Sequence, residues 1–550
     1  MLKIHRIAAI GLLLLGGATA CADLEVNNPN DPDRDRALSN AADVEALIAG
    51  SYEQWWRGQQ EVASTEGTPA FILSQMSFQH GAWPANFGQV EYSWIPRRAL
   101  VNAEANQFYP YLIWSWNQNY KAIYAVATGL RALEDSRIRG ELGEEKYERA
   151  RAYGKFVQGL AHASLAILYD SAFVVDETTE IADENGQPIP QAPQGYRGVM
   201  SAAMEYFDEA IALAEAGFSE NIPASWMSKE VTAEELAKLI YSLKARYHVL
   251  NARTPEERAA VDWENDVLAN LDKGLTDSWT MKLTIGGTQP WTNHPLWYWG
   301  AGGWQQLSYM ILGMADQSGM YQKWLAKPVG ERNHTIDGER FLIVTPDKRF
   351  AQGTTVEEQM ENPGTLYVIP DPDVHSVDVS ENWGQPARGT WRWTWYFMTE
   401  PWSVDAKSVD WPEFSKAEMD LLRAEGYYRR GDRAAAAEII NRTRVAAGLN
   451  PTDENGTNTD CVPKLPNGEC GDLFEMLKWE KRIETQFKGP YVAPWYFDGR
   501  GWGDLYEGTP LEFPMPCHER NIMGVPCYTF GGVGNPSTAP KSVYNWPHEG

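Results

Sequence analysis

Apolar residues recur at alternating spacings of three and four along much of this chain, the stripe of an amphipathic helix. From Ile113 the stripe runs through Trp116, Tyr120, Ile123, Ala127 and Leu130. Phe156, Leu160, Ala163 and Ile167 repeat it, as do Met200, Met204, Phe207, Ile211 and Ala214, and then Leu236, Leu239, Leu243, Tyr247 and Leu250. These segments predict paired helices. Between about 278 and 415 the period is lost, Gly, Pro and Trp are dense, and Phe341-Leu342-Ile343-Val344 predicts an isolated strand. There Trp391, Trp393 and Trp395 alternate with Arg392 and Thr394, a period of two that predicts one strand face turned to the core. Helical period returns at Ser415. A first helix through Leu421 and Tyr428 meets a Gly431-Asp432 turn, and a second carries Ala436, Ile440, Thr443 and Ala447 before Gly448 and Pro451 stop it.

This last unit looks like a tetratricopeptide-type helix pair, with small residues in its second helix and a proline after it. A pair of that kind cannot bury its own apolar face and needs stacked neighbours, which the four earlier stripes supply. A generic helical bundle fits the pattern equally well.

The N-terminus fixes the compartment. Lys3 and Arg6 precede the apolar run Ile7 to Leu15, and small residues lead to Cys21. The run is too short to span ~30 Å of hydrocarbon, so it reads as an export leader. A cysteine at the first mature position is what lipid attachment needs, and acyl chains there would hold the protein at a membrane. Ordinary secretion is the competing reading, since Ala18-Thr19-Ala20 fits the A-x-A cleavage rule and Ala18 stands where lipoprotein leaders usually carry leucine. The expected organisation is a leader over 1–20, a lipidated tether over 21–36 and a helical-repeat part over 37–277. A loop-rich, Trp-rich insert over 278–414 and a C-terminal part over 415–550 follow.

Of the five cysteines, four remain once Cys21 is set aside. Cys461 with Cys470, and Cys517 with Cys527, are two local pairs around turn-rich loops, so loop-clipping disulfides are expected; three pairings are open to four cysteines and sequence does not choose among them. A zinc site would need tighter Cys or His clusters. With 48 basic and 74 acidic residues the chain stands at −26, which argues against a nucleic-acid partner, since phosphate backbones are held by basic patches. No cofactor is expected.

Several stretches are similar to the SusD/RagB family. They are the tether Asp23-Leu24-Glu25-Val26-Asn27-Asn28-Pro29-Asn30, a helix from Asp43 to Tyr52, and the repeat from Leu422 through Arg444. Glu480-Lys481-Arg482-Ile483-Glu484, the run from Phe497 to Leu505 and Gly508-Thr509-Pro510-Leu511 continue the resemblance nearly to the end. It implies a predominantly α fold, with four tetratricopeptide-like pairs as scaffold and a loop-rich ligand-binding half with a few short strands. It also implies a surface lipoprotein of the outer membrane that caps a SusC-like TonB-dependent transporter and binds glycans or other polymer fragments for import.

The candidate chemistry is aromatic. Of 24 tryptophans, those on helical stripes, such as Trp116 and Trp479, are expected in the core. Others sit among glycines and prolines, where regular structure offers no place to bury them. A flat indole with one N–H donor matches the apolar face and hydroxyl rim of a pyranose, and amides suit the rim. The expected ligand site therefore combines Trp83 and Asn86 from one loop with Trp297, Tyr298, Trp299 and Trp304 from another. Plugging of a loop-rich domain by the same rings is the plain alternative. Phosphate-loop, zinc-helix and nucleophile-elbow signatures are missing, so no enzyme is expected. A glycoside hydrolase would need two carboxylates held across a bond, for which Glu400, Asp371, Asp373 and Asp378 are candidates; the same aspartates lack the spacing of a calcium loop. A peptide-binding lid of a peptide importer is the further alternative.

Overall fold

The computed structural model describes residues 38, 40–60, 69–82, 89–180, 189–283, 305–369, 394–399 and 409–547. The principal helices of the N-terminal part are α1 (Ala41–Ala49), α2 (Ser51–Gln60), α3 (Pro69–Met76), α4 (Tyr109–Leu133), α5 (Glu144–Leu168), α6 (Tyr196–Ala216) and α7 (Ala233–Leu250). The C-terminal part adds α8 (Lys416–Arg429), α9 (Arg433–Ala446), α10 (Leu473–Thr485), α11 (Trp495–Trp502) and α12 (Cys517–Ile522). Each predicted stripe is a helix. The run from Asp43 to Tyr52 is broken in two at Gly50, whose N–H caps α1 by bonding to the Ala46 carbonyl.

Neighbours pack in sequence order, α2 on α4, α4 on α5, α5 on α6 and α6 on α7, with α8 lying against α9 and α10. Close approach has a local cause. A Cβ on Gly159 would come within 2.6 Å of the Phe207 ring, and one on Gly154 within 2.9 Å of Leu130, so glycine lets α5 sit tightly between α6 and α4. Helix starts are fixed by side chains: Thr232 and Glu235 form a capping box on α7, and Ser415 and Asp432 accept the N–H of Glu418 and Ala435 to open α8 and α9. Trp116 and Trp479 are each 1% exposed, as expected of stripe tryptophans.

The few strands form two-stranded antiparallel sheets. The longest pairs β2 (Trp279–Leu283) with β6 (Val409–Phe414), its register shifting between Pro412 and Phe414. Two sequence expectations fail here. Phe341–Val344 is not a strand; Phe341 and Ile343 are core residues, and the N–H groups of Ile343 and Val344 bond to the Tyr396 hydroxyl and the Asp316 carboxylate instead of to a neighbouring strand. Nor does the tryptophan alternation continue as a strand face at its described end. Thr394, Trp395 and Tyr396 are all buried in succession, and the strand begins only at β5 (Phe397–Met398), which pairs with β4 (Tyr367–Val368). Trp395 is in the core as expected; Trp391 and Trp393 lie outside the described residues.

The cysteines pair locally, Cys461 with Cys470 and Cys517 with Cys527. Among the described residues no helix is long and apolar enough to cross a membrane. Cys21 and the tether lie outside them.

The polar interior centres on α10, which carries Glu480-Lys481-Arg482. Lys481 Nζ lies 2.8 Å from Asp498, which also accepts from Arg258 at 2.9 Å, while Arg258 reaches Glu425 of α8 at 2.6 Å. Lys478 and Arg482 both pair with Asp504, and Glu480 pairs with Arg349 at 2.7 Å. Arg349 also holds Asp347 and Glu484. These charges are desolvated, and every one has an opposite partner, the condition under which buried ions persist.

Candidate ligand-binding site

The residues predicted to bind ligand, Trp83, Asn86, Trp297, Tyr298, Trp299 and Trp304, lie outside the described residues, as do Asp371, Asp373, Asp378 and Glu400. The flanks of their segments are described. β1 (His80–Ala82) pairs antiparallel with β3 (Gln305–Leu307), in the register His80 with Leu307, Gly81 with Gln306 and Ala82 with Gln305. Ala82 immediately precedes Trp83, and Gln305 immediately follows Trp304. The Thr394 N–H then donates to the Leu307 carbonyl at 2.8 Å, so the residue following Trp393 joins the same strand pair. The described flanks of three tryptophan-bearing segments, distant in sequence, thus meet at one base.

That base is buried and aromatic. The His80 ring lies 4.8 Å from Phe487, tilted by 53°, and burial pushes its pKa down to about 3, so it is a neutral imidazole at any ordinary pH. Phe78 and Phe487 both adopt left-handed backbone conformations, φ 59° and 60°, which non-glycine residues hold at a cost of order 1–3 kcal/mol and only where the surroundings impose it. Arg97 anchors the chain on both sides of the 83–88 segment: its guanidinium donates to the carbonyls of Met76 (2.8 Å) and Tyr92 (2.7 Å) and to the Thr509 hydroxyl (3.1 Å), and stacks over Phe78 at 4.6 Å. Burial draws the Arg97 pKa down to about 9. On the third segment the Trp395 indole donates to the His334 carbonyl at 3.0 Å and meets the His334 ring edge-on at 4.5 Å. Burial, with Arg340 nearby, lowers the His334 pKa to about 4.

His80 and Trp395 belong to stretches the sequence singled out. Arg97 does not; a lone arginine after a proline carries no signal, and only the fold shows it bonding three separate segments. Among the described residues no group of three His, Cys, Asp or Glu side chains could hold a metal ion.

Comparison with solved structures agrees with this architecture. A SusD superfamily protein from Bacteroides vulgatus superimposes with a TM-score of 0.51 over 85% of this chain and 89% of its own, at 15% identity. The fold is SusD-like. A SusD homolog from Bacteroides thetaiotaomicron aligns over 90% of this chain and 97% of its own, with a TM-score of 0.48 and 12% identity. A structure solved with xylogluco-oligosaccharide aligns over 84% of this chain and 82% of its own, with a TM-score of 0.41 and 13% identity. No family model and no curated protein matches the sequence. The SusD-like fold accounts for the predominance of helix.

Proposed function

We propose that this protein is a glycan-binding lipoprotein, exported and anchored through Cys21 at the outer membrane. It faces the cell exterior and passes oligosaccharides to a SusC-like TonB-dependent transporter. The observation that carries the reading is the β1–β3 pair with Thr394 bonded to it, because it gathers at one base the flanks of the segments containing Trp83, Trp304 and Trp393. Rings on such segments, together with the Asn86 amide, suit stacking against pyranose faces with hydrogen bonds at the rim. The role is binding without turnover. Affinity need only be modest, since the ligand must be released to the transporter.

The test is tryptophan fluorescence of the unlipidated protein titrated with xylogluco-oligosaccharide and a panel of other soluble glycans and peptides, beside Trp297→Ala and Trp299→Ala. Saturable quenching by a glycan, lost in the variants and without release of reducing ends, is expected. Silence toward every glycan with a response to peptides would replace this reading by peptide import, and liberated reducing ends would replace it by hydrolysis.

A further inference from the structure

A cavity of about 790 Å³ opens on α4, within the size range of small-molecule sites. It shares no lining residue with the loop base. Its wall is the helix stripe one step round from the buried one: Trp114, Gln118, Lys121 and Tyr124, faced by Phe173 and by Glu519 of α12, the helix that begins at the disulfide residue Cys517. Trp116 and Tyr120, placed in the core by the sequence pattern, form its floor.

The polar groups here are arranged and only partly used. Gln118 is 2% exposed, and its Oε1 is buried with no donor among the described residues, which is a costly state for an acceptor beside a cavity. Glu519 Oε1 accepts the Trp116 indole N–H at 3.1 Å and lies 3.2 Å from His518, while no hydrogen bond among the described residues engages its Oε2. The His518 hydrogen bond, joined by Trp116, holds the Glu519 carboxyl below its usual range, so it is an acceptor at neutral pH. Lys121 makes no ion pair among the described residues and supplies a donor. Tyr124 is 43% exposed, and Trp114 and Phe173 are half-buried.

This set selects a ligand class. Glu519 and the −26 charge of the chain oppose an anion, and Lys121 opposes a cation. Open aromatic faces combined with the Lys121 donor and the unfilled Glu519 acceptor match a neutral ring bearing hydroxyls. We propose that the cavity on α4 is a second saccharide site, built into the helical scaffold, that takes one or two neutral hexopyranose rings independently of the tryptophan loops. The proposal does not rest on the loop site, since none of its residues belongs to those segments.

Saturation-transfer NMR of the unlipidated protein tests it, using maltose, cellobiose, mannobiose and N,N′-diacetylchitobiose as probes. The variants are Tyr124→Ala, Lys121→Ala and the double variant Trp297→Ala/Trp299→Ala. Tyr124 and Lys121 project to solvent, so thermal melts of their variants should overlay the parent and a lost signal would report the site and not unfolding. The expected result is that one disaccharide binds the parent, binds about tenfold more weakly to Tyr124→Ala, and keeps its Tyr124-dependent signal in the double tryptophan variant. Binding unchanged in Tyr124→Ala and Lys121→Ala would overturn the proposal, as would the absence of saturation transfer from all four probes. Signal lost only in the double tryptophan variant would overturn it while leaving the loop reading intact.

Discussion

Helices α10 and α4 both place polar side chains out of reach of water, and they treat them in opposite ways. On α10, Lys478, Glu480, Lys481 and Arg482 are all buried, and each meets at least one carboxylate or guanidinium from another segment. On α4, Gln118 is as deeply buried, yet its carbonyl oxygen is unmet and a cavity stands beside it. Complete pairing makes the first helix a frame that tolerates little change. Incomplete pairing leaves the second less tightly specified, and the open space is beside it.

The contrast is most sharply broken at Asp498, which serves Lys481 and Arg258 together. Asp498→Ala should cost about 3–5 kcal/mol in denaturant unfolding, because it leaves two cations buried without that partner. A loss near that of a surface substitution would show that the α10 network is not a frame. Next in size, removal of the Cys461–Cys470 bridge by paired alanine substitution should cost about 2–3 kcal/mol, the loop-closure value for a short loop. Thermal melts with and without the pair would check it.

A third test uses pH. Arg246 gives Nε and Nη2 to Glu418, at 2.8 and 2.6 Å, and its Nη1 is 3.5 Å from Glu413. Burial therefore prevails at Glu413, against the pull of Arg246 and with Glu418 repelling, and pushes its carboxyl from 4.5 up to about 8. Between those values the folded chain holds a proton that the unfolded chain releases, so this group's contribution falls as pH rises from 4.5 to 8. Glu413→Gln should flatten the stability profile across that window, measured by denaturant midpoints. Glu425, drawn down to about 2 by Arg258 although burial opposes it, has the opposite sign: its contribution is full above 4.5 and is lost as pH falls toward 2. A profile for Glu413→Gln parallel to the parent above pH 5 would contradict this account. The smallest effect is expected at a helix start, where Ser415→Ala removes the cap of α8 and should cost about 1 kcal/mol with ligand binding unchanged.

Much of the scaffold was legible in the sequence because a stripe of period 3.6 reports directly which face of a helix is buried. The stripes at 113–130, 156–167, 200–214 and 236–250 each became one helix, and the Gly431-Asp432 turn lies between α8 and α9 as read. Period two was a poorer guide. In Phe341–Val344 the N–H groups of Ile343 and Val344 bond to side chains and those of Phe341 and Leu342 to nearby carbonyls, and in Thr394–Tyr396 burial on all sides erases the alternation, so apolar content there signalled core and not strand. The candidate loops were legible as composition, aromatic rings among glycines and prolines. Their common base was not, since the β1–β3 register joins residues more than two hundred positions apart.

The sequence by itself determined the striped helices, the turn between α8 and α9 and the aromatic character of the candidate loops, because these depend on residues within a turn or two of one another. Only the tertiary structure decided which cysteines pair, that Arg97 locks the loop base, that the charges of α10 are interior, and that Gln118 is left unmet beside a cavity. Those outcomes depend on which distant group arrives at a given side chain once water has been excluded, and local sequence carries no record of that.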